Sequence, residues 1–384
     1  MTTEWRLLNG TLTTWYDAGS HSAGAALIER LSAGTEVDLR PNGLRLRTPS
    51  EESAREISAA AQDLGLTADP TALQTVRFGT AAADPAAVRS FWETVLGYER
   101  SGADSLEDPL HRDPKFTVRR LAEPRPLRNR IHVDVVRPSD VVDRARAATG
   151  REPSGPWGVM LADDEGNEAD LVPGDPVPGT TDWQAVFSAM AFYPTTSPAQ
   201  SNRLAAAVAK LADDASTPLQ IDLRPAGVMI DGSKDQWEDD APNGGAAFVE
   251  LAGRIESAAH DLGLTADAQP LRFVQFGIDA VDVEVVRAFW LTLLGYQPDP
   301  RAHVSDIYDP RRLNPVLFFQ QLDANDERTK QRNRIHFELV VPDDQAQARS
   351  ERALSAGGRV LEQSPERCLL SDPEGNEIDL LLLH

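Results

Sequence analysis

Apolar and polar residues alternate with period two at RFGTA from Arg77, at QFGID from Gln275 and at IHFEL from Ile335. That alternation predicts strands with one face on a core and one face turned to polar surroundings. Helical spacing follows each of the first two strands, in DPAAVRSFWETVLGY from Asp84 and in DVEVVRAFWLTLLGY from Asp282. Two further helices are predicted in SHSAGAALIERLSAG from Ser20 and SPAQSNRLAAAVAKLADD from Ser197, each followed by short strands around Asp-Leu-Arg-Pro and a helix ending at Asp-Leu-Gly-Leu. Strands and a βα unit that starts at Arg-Asn-Arg-Ile-His and closes in a hairpin around Glu-Gly-Asn-Glu complete the pattern.

Every element occurs twice. Trp5 answers to Trp183, VDLRPNGLRL from Val37 to IDLRPAGVMI from Ile221, and DDEGNEADL from Asp163 to DPEGNEIDL from Asp372. The second copy carries small insertions, the largest being GSKDQWEDDAPNGG from Gly232. It is acidic and contains Gly and Pro, and is expected to be an exposed loop. The Pro- and Gly-rich segment Val172–Asp182 is expected to lie exposed between the copies.

The 384 residues exceed one ordinary domain, and 41% hydrophobic with 26% charged residues is the composition of a globular protein. Sixty Asp plus Glu against 38 Lys plus Arg give a net charge of −22, which repels phosphate backbones and anionic lipid. Neither nucleic acid nor membrane is therefore an expected partner. Cys368 alone can form neither an internal disulfide nor a cysteine zinc site, so the expected location is the reducing cytoplasm. The start shows no basic segment leading into an apolar run, and no stretch approaches the roughly 20 apolar residues that span a bilayer.

The second part of each copy resembles the vicinal oxygen chelate superfamily, in its glyoxalase-like branch. The resemblance rests on Phe91-Trp92 with Leu96-Gly97-Tyr98, on RNRIH ending at His132, and on the closing hairpin, with Phe289-Trp290, Leu294-Gly295-Tyr296, His336 and DPEGNEID in the second copy. The first part resembles pterin carbinolamine dehydratases through its opening Trp, Gly24-Ala25-Ala26-Leu27-Ile28 and the Asp-Leu-Arg strand. Where that family has His-His-Pro, this chain has Ser216-Thr217-Pro218, and the first copy is shortened to Gly34-Thr35. Hydroxyls cannot supply the titratable group that a pterin dehydration needs, so a scaffold role is expected. The implied fold class is α+β: small dehydratase-like units at 1–72 and 182–269, paired βαβββ domains at 73–175 and 270–384.

The resemblance implies that paired βαβββ modules curl into a cup with metal ligands on inward strand positions. Ile378 and Leu380 share one face of the last strand, which turns Glu377 and Asp379 into the cup. His336 and Glu338 lie opposite Ile335 and Phe337, and Gln275 opposite Val274 and Phe276. The second copy thus offers Gln275, Gln320 or Gln321, His336 and Asp379 to a divalent Zn, Ni, Mn or Fe, with Glu338 or Glu377 as base. The first copy has Arg77, Arg119 or Arg120, His132 and Asp170 in those places. A guanidinium cannot ligate a cation, so metal is expected in the second copy only. Arg77, His132 and Asp170 would instead bind an anionic substrate, or Arg77 would pair with Asp170 in a filled interior.

The implied function is isomerase, lyase or ring-opening chemistry on a small oxygenated metabolite, by a monomer or homodimer. The alternative is a metal-free protein that binds or sequesters a small molecule, as resemblance to bleomycin-resistance members implies.

Overall fold

A computed structural model describes residues 4–31, 34–301 and 303–381. Helices start and stop where the orphaned backbone groups find partners. Asp84 accepts the N–H groups of Ala86 and Ala87 at the head of the helix Pro85–Leu96, and Asp282 caps Val283–Leu294 through Val285. Gly97 and Gly295 end these helices at φ 65° and 66°, a left-handed conformation that costs glycine little.

The chain divides into two units, each built from segments of both copies. The first takes residues up to Leu73, Arg137–Ser139 and Pro173–Arg272. The second takes Gln74–Val136, Asp140–Val172 and the chain from Phe273 onward.

In the first unit the strands Glu36–Arg40 and Gln220–Arg224 pair antiparallel, which places Asp38 opposite its repeat counterpart Asp222. Two buried carboxylates in register would repel. Arg40 meets Asp222 at 2.6 Å, Arg45 meets Asp38 at 2.6 Å, and Arg224 closes on Asp38 from the other copy. Though burial opposes ionisation, these guanidinium groups hold the Asp38 carboxyl well below the usual carboxylate range. The helices His21–Ile28, Glu51–Asp63, Pro198–Ala215 and Ala246–Asp261 share a core with the sheet through Ile28, Ile57, Leu204 and Ile255.

Two expectations are corrected in this unit. The segment Val172–Asp182 is exposed at Pro173, Asp175, Pro176, Pro178, Gly179 and Thr181, as expected, but is no free spacer: the strand Glu168–Pro176 runs through its first half, and Asp175 and Pro176 pair with Ala185 and Gln184. Val177 is buried, and the N–H groups of Thr181 and Asp182 both donate to Glu256 at 2.8 Å. Proline fixes φ near the extended range and lacks only the donor, so Pro176 is tolerated at the strand end and the exposed Pro173 inside the strand. The acidic insertion also begins inside a strand, Gly227–Lys234, with Ser233 buried. Gly232 is needed there because a Cβ would stand 2.9 Å from the Phe248 ring.

In the second unit the strands Thr75–Ala82 and Phe116–Arg120 of the first copy join a sheet with Ile335–Val340, Arg367–Ser371 and Glu377–Leu381 of the second. Reciprocally, Ile131–Pro138 and Glu168–Pro176 of the first copy join Phe273–Ala280 and Val316–Gln321 of the second. The joins are antiparallel, Phe78 opposite Phe337 and Val133 opposite Phe276. The apolar faces meet in one core, where the Phe276 ring lies 4.9 Å from Phe78 and 5.1 Å from Phe337.

The recurring motifs brace these joins. Asn129 accepts the backbone N–H groups of Arg334 (2.6 Å) and Ile335 (3.2 Å) in the other copy, and donates to Asn167 at 2.8 Å. Asn167 donates to Asp163, which also accepts the Trp92 indole N–H at 3.2 Å. The mirror chain runs from the Arg130 N–H through Asn333, Asn376 and Asp372 to Trp290. Gly166 and Gly375 make left-handed turns in the two hairpins, at φ 76° and 87°. Asn167 and Asn376 instead serve the brace, both fully buried.

Replacing Asn129 by Ala would strand two buried backbone donors and leave the Asn167 side-chain oxygen with the Arg334 Nε donor at 2.9 Å. We expect it to lower unfolding stability by about 3 kcal/mol in a denaturant titration. A loss below about 0.5 kcal/mol, the size of an ordinary surface substitution, would contradict the brace.

Candidate functional site

Across the second join, His132 lies opposite Gly277 and Asp134 opposite Gln275. A Cβ on residue 277 would stand 2.2 Å from His132 Cε1 and 2.7 Å from the Phe318 ring, so glycine makes room for the imidazole. Phe318, one strand further on, meets the His132 ring edge-on with centroids 5.4 Å apart. Asp170 enters from Glu168–Pro176, and ligand atoms of His132, Asp134 and Asp170 all lie within 4.8 Å of one another.

Gln275 is 3% exposed and donates from Nε2 to Asp134 Oδ2 at 2.7 Å. Its Oε1 is buried and meets no hydrogen-bond donor among the described residues. His132 Nε2 is 3.6 Å from Asp134 Oδ1. Burial pushes the Asp170 carboxyl above its ordinary range; His132 opposes the rise and Asp134 adds to it. An imidazole, two carboxylates and a neutral amide oxygen are the donor types that a borderline or hard divalent cation takes.

The first join carries the counterpart half-shell. His336 lies opposite Gly79 and Glu338 opposite Arg77, with Asp379 beside Glu338 on the parallel neighbour. Here guanidinium groups face the acids. Arg119 reaches Asp379 at 3.0 Å and Arg367 reaches it at 3.3 Å; Arg77 stands 3.9 Å from Glu338, to which Thr117 donates at 2.7 Å. Glu377 is 1% exposed and held by Arg332 at 2.5 Å and 2.9 Å. Burial raises the Glu338 and Asp379 carboxyls and lowers Arg77, while burial and Arg119 push the His336 imidazole down to about 3.

The cross-copy pairing thus redistributes the residues singled out by sequence. His132 and Asp170 come together with Gln275. His336, Asp379, Glu338 and Glu377 come together with Arg77, whose acidic neighbour is Glu338 rather than Asp170. The arginines expected to keep metal from the first copy therefore lie beside the second copy's His336 and Asp379, and the cluster with metal-ligand chemistry is mostly first-copy. Gln320 shares the face of Gln275 and Phe318, in register with Asp279. Gln321 lies on the opposite face and turns back to donate to the Val281 carbonyl at 2.8 Å. Sequence reasoning missed Asp134, although it sits two residues beyond His132 on the same strand face, as Glu338 does beyond His336.

The family model for the glyoxalase-like domain matches residues 77–172 and 275–381. No curated protein matches the chain. Among solved structures, glyoxalase I from Zea mays is similar at 11% identity, over 80% of this chain and 92% of its own, with a TM-score of 0.36. A glyoxalase/bleomycin resistance protein from Albidiferax ferrireducens T118 is 18% identical over 27% of this chain and 92% of its own, with a TM-score of 0.22. The fosfomycin resistance protein FosX from Mesorhizobium loti is 12% identical over 28% and 88%, with a TM-score of 0.24. The two matched stretches take in more than half of the 384 residues, one on each side of both joins, and the chain belongs to the glyoxalase-like domain family.

Proposed function

We propose that the chain binds a small oxygenated metabolite at the His132 half-shell together with a divalent cation, and performs isomerase- or lyase-type chemistry on it. One observation carries this reading: an imidazole and two carboxylates converge within 4.8 Å. The Arg128 guanidinium that acts on Asp170 is itself turned to Glu168, at 2.5 Å. Carboxylates this close, in a partly buried place, are costly unless a cation or a proton joins them.

His132, Asp134 and Asp170 would hold the ion, with Gln275 Oε1 as a neutral fourth donor. A bound divalent ion would polarise adjacent ligand oxygens as a Lewis acid. Gln275 Nε2 fixes the Asp134 carboxylate, and the Phe318 edge fixes the imidazole. The partly exposed Phe318 ring also gives the ligand an apolar wall that keeps water from one side.

Calorimetric titration of protein purified without chelator should show one site for Zn²⁺ or Mn²⁺. His132→Ala should weaken it by at least about 100-fold, whereas His336→Ala should change it by less than about threefold. Equal losses in both variants, or no binding by the unaltered chain, would refute the assignment.

A second expectation concerns pH. The folded Asp170 carboxyl takes up a proton more readily than the unfolded one, so its ionised form costs stability at neutral pH. That cost vanishes as pH falls through the raised folded value towards the ordinary value near 4. Asp170→Asn should therefore stabilise the metal-free protein most at pH 7, with the gain shrinking towards pH 4 in denaturation at constant ionic strength. A gain that grows on acidification would contradict the burial of this carboxylate.

A further inference from the structure

The half-shell around His336 holds an excess of positive charge in a chain whose net charge is −22. Glu377 is bonded by Arg332 and stands 3.9 Å from Arg119. Arg125, which donates to the Asn333 carbonyl at 2.5 Å, feels both of those guanidinium groups as like charges. Arg367 shares Asp379 with Arg119, and Arg77 faces Glu338. Arg77, Arg119, Arg125, Arg332 and Arg367 thus meet three inward carboxylates, Glu338, Glu377 and Asp379. Three further carboxylates act on these arginines from more exposed places, where water screens them: Glu362 on Arg367, 57% exposed, Glu107 on Arg77, 40% exposed, and the exposed Glu123 on Arg332. Arg119, Arg332 and Arg367 are themselves 36%, 55% and 32% exposed, so their charge is accessible from solvent.

His336 adds the second observation. It is 2% exposed, and its Nδ1 lies 3.1 Å from the Arg334 carbonyl oxygen. That oxygen can only accept, so Nδ1 carries the proton and Nε2 presents a lone pair. No donor meets Nε2 among the described residues. Gly79, opposite, brings no Cβ to this place, where one would stand 3.1 Å from Nε2 and 2.3 Å from the Thr117 hydroxyl. An acceptor lone pair on a buried imidazole among guanidinium groups suits a ligand that brings negative charge and a donor together.

We infer that this half-shell binds, without a metal, a small oxyanion that also bears a hydroxyl, of the class of hydrogenphosphate or a 2-hydroxycarboxylate. Arg119, Arg125 and Arg367 take the oxyanion, and His336 Nε2 accepts the hydroxyl proton in a hydrogen bond. The places of Arg77, Arg119 and Arg367 are taken in the His132 half-shell by Gln275, Gln320 and Gly158. The two half-shells therefore select opposite charges.

The test is calorimetric titration of the full chain at pH 7 with inorganic phosphate and with glycolate, against sulfate and acetate, which lack the hydroxyl proton. Phosphate, glycolate or both should bind at least about tenfold more tightly than the matching control, a difference of about 1.4 kcal/mol. Binding by phosphate alone or glycolate alone identifies which source supplies the ligand. Arg119→Gln and Arg125→Gln should each weaken the bound anion at least about fivefold; Glu377, which acts on Arg125 at longer range, keeps its bonded partner Arg332 in the second variant. Arg144→Gln, on an exposed helical pair with Asp140, should change nothing. No binding by phosphate or glycolate, sulfate binding as tightly as phosphate with acetate matching glycolate, or unchanged affinity in both arginine variants would each overturn the inference.

Discussion

The antiparallel joins between the two copies are the constraint on which the second unit depends. A strand such as Ile131–Pro138 presents a full row of backbone donors and acceptors, and these are satisfied by Phe273–Ala280 of the other copy. The same holds for Ile335–Val340 against Thr75–Ala82. Asn129 and Asn333 secure each join by accepting backbone N–H groups across it, and each is tied through a buried Asn and Asp to a tryptophan of its own copy. The residues that recur most visibly along the chain are therefore largely those that hold the copies together.

Pairing across copies lets a duplicated chain make two unlike sites from nearly the same parts. Both half-shells oppose a histidine to a glycine, because the imidazole needs the space that a Cβ would fill. They differ in what stands beside it. Gln275, Phe318 and Gly158 stand on the side of His132, Asp134 and Asp170, whereas Arg77, Thr117 and Arg367 surround His336 with charge and hydroxyl. In the first unit the same duplication brings Asp38 onto Asp222, and arginines from both copies neutralise the contact.

The duplication, the strands and their inward faces were legible because period-two alternation reports which side of a strand meets the core. Alternation does not report which strand lies alongside. His132 faces inward equally well beside Arg77 or beside Gln275, so sequence could not decide which residues share a half-shell. Asp134 lies on the strand face of His132, but the positions that the resemblance implies do not include it. The prolines of Val172–Asp182 read as a spacer because Pro marks both loops and strand ends, and only the partners of Asp175 and Pro176 separate the two. The dehydratase-like reading of the first part concerns residues outside the matched stretches, and no comparison supports it.

The central claim is that Gln275 belongs with Asp134 and not with the histidine and aspartate of its own copy. A double-mutant cycle on unfolding free energy tests it directly. Gln275→Ala and Asp134→Ala should couple by about 1.5 kcal/mol or more, as a buried hydrogen bond to a carboxylate requires. Gln275→Ala and Asp379→Ala should be additive to within about 0.5 kcal/mol. Coupling between Gln275 and Asp379, with additivity between Gln275 and Asp134, would mean that each copy closes on itself and would contradict the account.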